Sequence, residues 1–123
     1  MGMTIIEKIL ARQSGQKTVA PGDLVTAKLD TIILFDNNFV ASVWRDVQHV
    51  FDPDRVVVTM DHRAPAPHIG SAKAHLTARA FVKKFGIRRF HDVGREQGIG
   101  HVLVADHAYA MPGTVLICSD SHT

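Results

Sequence analysis

The sequence predicts an α/β fold, a three-layer α/β/α sandwich with a largely parallel sheet, incomplete within this chain. Three observations carry that expectation. Short β-branched runs alternate with stretches of helical periodicity, in the order strand, helix, strand, helix, strand, helix, strand. Helices between strands require crossover connections, which favour parallel pairing. Two Asp/His clusters directly follow apolar runs: Val56-Val57-Val58-Thr59-Met60 leads into Asp61-His62, and Val115-Leu116-Ile117-Cys118 leads into Ser119-Asp120-Ser121-His122-Thr123. Open α/β sheets bind ligands outside the carboxyl ends of their strands.

Thr4 with Glu7 has capping-box spacing. Ile5, Ile6, Ile9 and Leu10 then form one face of a short helix that Gly15 stops. Pro21-Gly22-Asp23 is a turn, and the stretch from Leu24 to Phe35 reads as a strand. Asp36-Asn37-Asn38 is placed to cap a helix, with Phe39, Val40, Val43, Trp44 and Val47 at helical spacing. After the turn at Pro53-Asp54, Arg55 to Met60 is a strand buried on both faces. The prolines Pro65 and Pro67 make a loop, and His68 is placed to begin a helix. Ile69, Ala72, Leu76, Ala80 and Phe81 give that helix its apolar face, and Gly86 ends it. Ile87 to His91 is a strand, Gly98-Ile99-Gly100 opens a helix carrying His101, and Pro112-Gly113 turns into a strand over 114–118. The strands near 55–60, 87–91 and 114–118 are expected to form the parallel core, with their carboxyl ends along one edge.

One domain, residues 1–123, fits this length. A hydrophobic content of 46% supports a core, and a net charge of +2 is too small to argue for nucleic acid. The single cysteine, Cys118, excludes an internal disulfide and fits a reducing, cytoplasmic setting. No N-terminal signal pattern is present, and no apolar run approaches the roughly 20 residues that span a bilayer.

The eight histidines are the unusual count. A carboxylate beside an imidazole stabilises the imidazolium and fixes its tautomer, which makes the ring a usable proton donor. Asp61, His62, Asp120 and His122 are the right types at strand ends. Neighbours on an extended chain point to opposite sides, so a carboxylate from one strand end is also a candidate partner for a histidine from another. His101 lies one turn into a helix whose glycine-rich start faces the same edge, where a substrate has room to approach the backbone. His49 and His75 read as exposed helix residues. His107, on its helix, has no reason to meet the strand ends. A zinc site from His62, His101 and His122 is a weaker reading, because the three lack the short spacing of zinc motifs.

The segments Phe51-Asp52-Pro53-Asp54-Arg55-Val56, Asp61-His62, Pro65-Ala66-Pro67, Asp92-Val93-Gly94, Gly98-Ile99-Gly100-His101 and Ser119-Asp120-Ser121-His122-Thr123 together resemble the N-terminal part of the aconitase superfamily. The likeness is nearest to the large subunits of the 3-isopropylmalate dehydratase and homoaconitase branch. It implies an iron–sulfur hydro-lyase that dehydrates and rehydrates a 2-hydroxy di- or tricarboxylic acid, with a 4Fe-4S cluster in the full-length protein and none held by this chain. It further implies that His62 protonates the departing hydroxyl with help from Asp61, that His101 and Asp120 pair, that His122 joins a third pair, and that Ser121 and Asp36 contact substrate. The implied partners are the rest of the large subunit and a small subunit. The cluster cysteines of the family lie beyond the Asp-Ser-His-Thr motif, and Cys118 matches none of them. Phe35, Asn37 and Val102 depart from the family pattern, and Gln97 is an extra residue before the glycines. Phe35, Asn37 and Val102 support a second reading, a truncated binding or assembly module of the same fold. Because the cluster cysteines are absent, the isolated chain is expected to be inactive, and apolar surface left uncovered at the final strand is expected to make it self-associate or depend on partner chains.

Overall fold

The computed structural model describes residues 2–121. Four strands, β1 (Thr31–Phe35), β2 (Val56–Thr59), β3 (Arg89–His91) and β4 (Leu116–Cys118), form one sheet in the order β3-β2-β1-β4. Every neighbouring pair is parallel, with Phe35 beside Thr59, Thr59 beside His91 and Ile33 beside Cys118. The predicted α/β sandwich with a parallel sheet is therefore present. Its centre differs from the expectation: β1 and β2 are the inner strands, while β3 and β4 are the edges.

Helices cover both faces. The helix α1 (Ile5–Ser14) has the full capping box between Thr4 and Glu7 and ends at Gly15, whose φ of 71° suits a residue without Cβ. The helix α2 (Ile69–Phe85) packs on one face of the sheet, where Ala74, Ala78 and Phe81 meet Val56, Val58, Met60 and Phe39. The short helix α3 (Gly100–Asp106) lies on the other face, with Val104 and Tyr109 against Ile33, Phe35 and Val57. Alternation along β2 explains the division, since successive side chains point to opposite faces. All four β2 residues are buried, as a doubly covered strand requires.

Three local expectations are corrected. The stretch from Leu24 is not a strand until Thr31, and Leu24 itself is 99% exposed. Before Thr31 the backbone has no strand beside it and bonds elsewhere, with Lys28 N–H donating to Gln13 C=O. Residues 39–47 are not an α-helix. One 3-10 turn, Asp36–Phe39, is followed by irregular chain. Asn38 Oδ1 accepts the Phe35 N–H and the Asp36 carboxylate is occupied elsewhere, so local polar side chains satisfy backbone that a helix would use. Phe39, Val40, Trp44 and Val47 still pack on the α2 side of the core. Finally, the buried stripe of α2 is Ser71, Ala74, His75, Ala78 and Phe81, while Ile69 and Leu76 are exposed. Small side chains let the helix approach the valines of β2 closely. That face wins over the bulkier one predicted.

Candidate active site at the carboxyl edge of the sheet

With all strands parallel, β1, β2 and β4 end on one edge. The ends of β2 and β4 flank β1, roughly 10 Å apart at about 4.8 Å per strand. Side chains leaving them meet across the tip of β1. There, His62 Nε2 lies 3.1 Å from Asp120 Oδ1, and His101 Nε2 lies 3.3 Å from Asp120 Oδ2. One carboxylate thus holds two imidazoles, one from the turn after β2 and one from α3. The Asp120 side chain is 8% exposed, while His62 and His101 are 35% and 44% exposed. The rings are open on the solvent side and anchored from below. Phe35, the last residue of β1 and fully buried, supports both: its ring stands edge-on to His62 at 5.0 Å and to His101 at 6.1 Å.

Asp36 holds the turn that carries His62. Its carboxylate is 1% exposed and accepts the N–H groups of His62 at 3.1 Å, Arg63 at 2.6 Å and Asn37 at 3.1 Å. Its Oδ1 also lies 3.7 Å from His62 Nδ1. Asp36, which the resemblance names as a substrate contact, is thus buried and holds this turn in place.

The Asp61 carboxylate accepts the Gly100 N–H at 2.7 Å. This ties the start of α3, and so His101, to the turn bearing His62. The carboxylate of Asp61 thus sits at that helix start. Glycine is required there for packing, since a Cβ on Gly100 would run into the Phe35 ring. Asn38 Nδ2 donates to Ser119 Oγ at 2.5 Å, which fixes the approach to Asp120. Ser121 follows on the surface, and His122 lies outside the described residues.

The remaining histidines divide. His49 is exposed, though not in a helix. His68 caps α2, its Nδ1 accepting the Ser71 N–H. His75, expected on an exposed face, is 3% exposed and lies 3.7 Å from Asp36 Oδ2. His107 does meet a strand end, 4.8 Å from the His91 ring and stacked on Tyr109. The backbone carbonyl of Glu96 can only accept, so His91 Nδ1 carries the proton and Nε2 accepts from the Tyr109 hydroxyl at 2.8 Å. Burial pushes the His91 imidazole below its ordinary range and the Tyr109 phenol above its own. A cleft of about 430 Å³ between residues 39–44 and α2 is lined by Trp44, Arg63, His68 and Lys73 but by none of His62, His101 and Asp120. No described helix is long and apolar enough to cross a membrane.

Two imidazoles sharing a nearly buried carboxylate, open on one side, have the chemistry to give and take protons. The family model for aconitases (aconitate hydratase) matches residues 25–123. This chain belongs to the aconitase family. Among curated relatives it is similar to the 3-isopropylmalate dehydratase large subunit of Mycolicibacterium smegmatis, 46% identical over 123 residues, covering all of this chain and 29% of that protein. The large subunit from Aquifex aeolicus is 39% identical over 127 residues, with 100% and 29% covered. That from Heliobacterium modesticaldum is 41% identical over 127 residues, with 100% and 30% covered. The chain thus spans about 29–30% of the length of the aconitase-family relatives it matches.

The signal for His62, His101 and Asp120 was available in the sequence as polar residues at strand ends and at a helix start. The signal for His75 was weaker. It lies four residues after Ser71 and three before Ala78, within a stripe of small residues that the larger Ile69 and Leu76 obscured.

Proposed function

We propose that this chain is the N-terminal segment of the large subunit of an iron–sulfur hydro-lyase, one that dehydrates and rehydrates a 2-hydroxy di- or tricarboxylic acid such as isopropylmalate in the cytoplasm. The observation that carries the reading is Asp120 lying within 3.3 Å of both His62 and His101. In this reading His62 is the acid for the departing hydroxyl. Asp120 stabilises its imidazolium and shares its second oxygen with His101, a further acid/base group on the same pocket. Asp36 and Asp61 act one step removed, the first fixing the His62 turn and the second pinning α3. Ser121 is assigned to the same pocket, and the family resemblance gives His122 a part in a further histidine–carboxylate pair.

The family implies a 4Fe-4S cluster. Among the described residues no group of three or more His, Cys, Asp or Glu is arranged to hold a metal ion, and the chain's one cysteine, Cys118, lies in β4. This segment does not fit the cluster by itself. Its ligands, and the groups that bind substrate carboxylates, are assigned to the remainder of the large subunit and to a small subunit.

The test is steady-state turnover of isopropylmalate by the full-length large subunit with its small subunit. His62→Asn should lower kcat by about 10²-fold or more with the fold retained, the usual scale for losing a general acid. Undiminished kcat in His62→Asn would remove the assignment.

A further inference from the structure

We propose that His75 is a positioning residue for His62, acting through Asp36; this rests on the reading of His62 as the acid. His75 sits on the buried stripe of α2, among alanines, where an aliphatic side chain would fill the space without polar cost. Its Nε2 is buried and has no hydrogen-bond partner among the described residues. A buried polar nitrogen left without a partner is costly to the fold. The anion it faces is Asp36, whose Oδ2 is 3.7 Å away. The other Asp36 oxygen lies 3.7 Å from His62 Nδ1. A carboxylate 1% exposed is thus bracketed by two imidazoles at equal reach, and its ion pairs among the described residues are to histidines.

The other charged groups near His75 are already committed. Asp92, after β3, accepts from Arg79 of α2 through two hydrogen bonds of 2.7 and 2.8 Å. That leaves Asp36 as the group His75 serves. A bare Nε2 lone pair against a carboxylate would be repulsive, so Nε2 carries the proton and points it at Oδ2. This holds the Asp36 carboxylate in place with Oδ1 turned to His62 Nδ1. His62 then keeps its Nδ1 proton against Asp36, and the Nε2 proton, facing Asp120 and the open side of the site, is the one it gives up. The result is an alternating line of His75, Asp36, His62, Asp120 and His101 that sets which proton the acid releases.

The test is ¹⁵N NMR of ring-labelled histidines in the full-length large subunit, with signals assigned from His62→Asn and His75→Gln. Wild type should show a protonated Nε2 on His75. His75→Leu, close in volume but without a donor, should move the His62 ring signals toward the Nε2-protonated form. It should also lower kcat about 10-fold, the scale seen for outer partners of an acting imidazole, with KM within about 2-fold. His75→Gln, which keeps an N–H donor, should restore both. An unprotonated His75 Nε2 in wild type, or unchanged His62 signals in folded His75→Leu, would overturn the proposal. Should His75→Leu not fold, the wild-type His75 signal decides alone. Wild type lacking turnover while the ring signals behave as described would sink the hydro-lyase reading and leave the His75 placement standing.

Discussion

Asp120 is the residue on which the site turns, because each of its oxygens faces a different imidazole. Asp120→Asn keeps the shape and removes the charge. It should lower kcat by about 10²-fold or more, with KM little changed, in steady-state kinetics of the full-length protein. Gly100 illustrates a second kind of constraint. Its missing Cβ admits the buried Phe35 ring, so Gly100→Ala forces the ring or the start of α3 to move. Overpacking of that kind costs roughly 1–3 kcal/mol, readable as a lower denaturant midpoint. The site residues were legible singly, since Asp and His at the ends of apolar strands stand out. Their partners were not. Asp61 and His62 are adjacent in sequence yet serve different elements, one bonding Gly100 of α3 and the other reaching Asp120 after β4.

At the scale of elements, α3 has no side-chain cap of its own and relies on Asp61 for its first N–H. Asp61→Ala should therefore cost about 0.5–2 kcal/mol, as loss of a capping side chain does. It should also loosen His101, seen as faster amide exchange in α3. The Arg79–Asp92 pair ties α2 to the end of β3, and the guanidinium holds the Asp92 carboxyl below its usual range. A carboxyl depressed in the fold contributes stability above its unfolded pKa and loses it as pH falls through the folded value. The buried His91 acts in the same direction, because lowering the pH protonates it first in the unfolded chain. Denaturant midpoints should fall from pH 7 toward pH 3, and Asp92→Asn should flatten the lower part of that profile. The ends of α1 and α2 were legible from Thr4, Glu7, Gly15 and Gly86, since capping is local chemistry. The face of α2 was not, because which side approaches the sheet depends on the sheet's own side chains.

The whole molecule puts its reactive groups on one rim and leaves apolar side chains outside. Ile69, Leu76 and Ile117 are 76%, 62% and 50% exposed, and β4 stands at the sheet edge. Sedimentation of the 123-residue chain alone should show self-association that rises with concentration; a strict monomer at high concentration would contradict the need for covering partners. The same chain alone should show no dehydratase turnover, and detectable turnover without other subunits would contradict the division of the site.

Residue order alone determined the α/β class, most element positions, the helix caps and the short set of Asp and His residues from which a site is built. These follow from periodicity, turn chemistry and the identity of residues after apolar runs, all of which act within a few positions of the chain. Tertiary structure alone decided that β1 and β2 form the centre, that α2 turns its small residues and His75 inward, and that Asp120 bridges His62 and His101. Those outcomes depend on pairings between residues 19 to 85 positions apart, such as His101 with Asp120 and Thr31 with Leu116. Long-range pairing is settled by how strands and helices pack in space, and no local pattern encodes it.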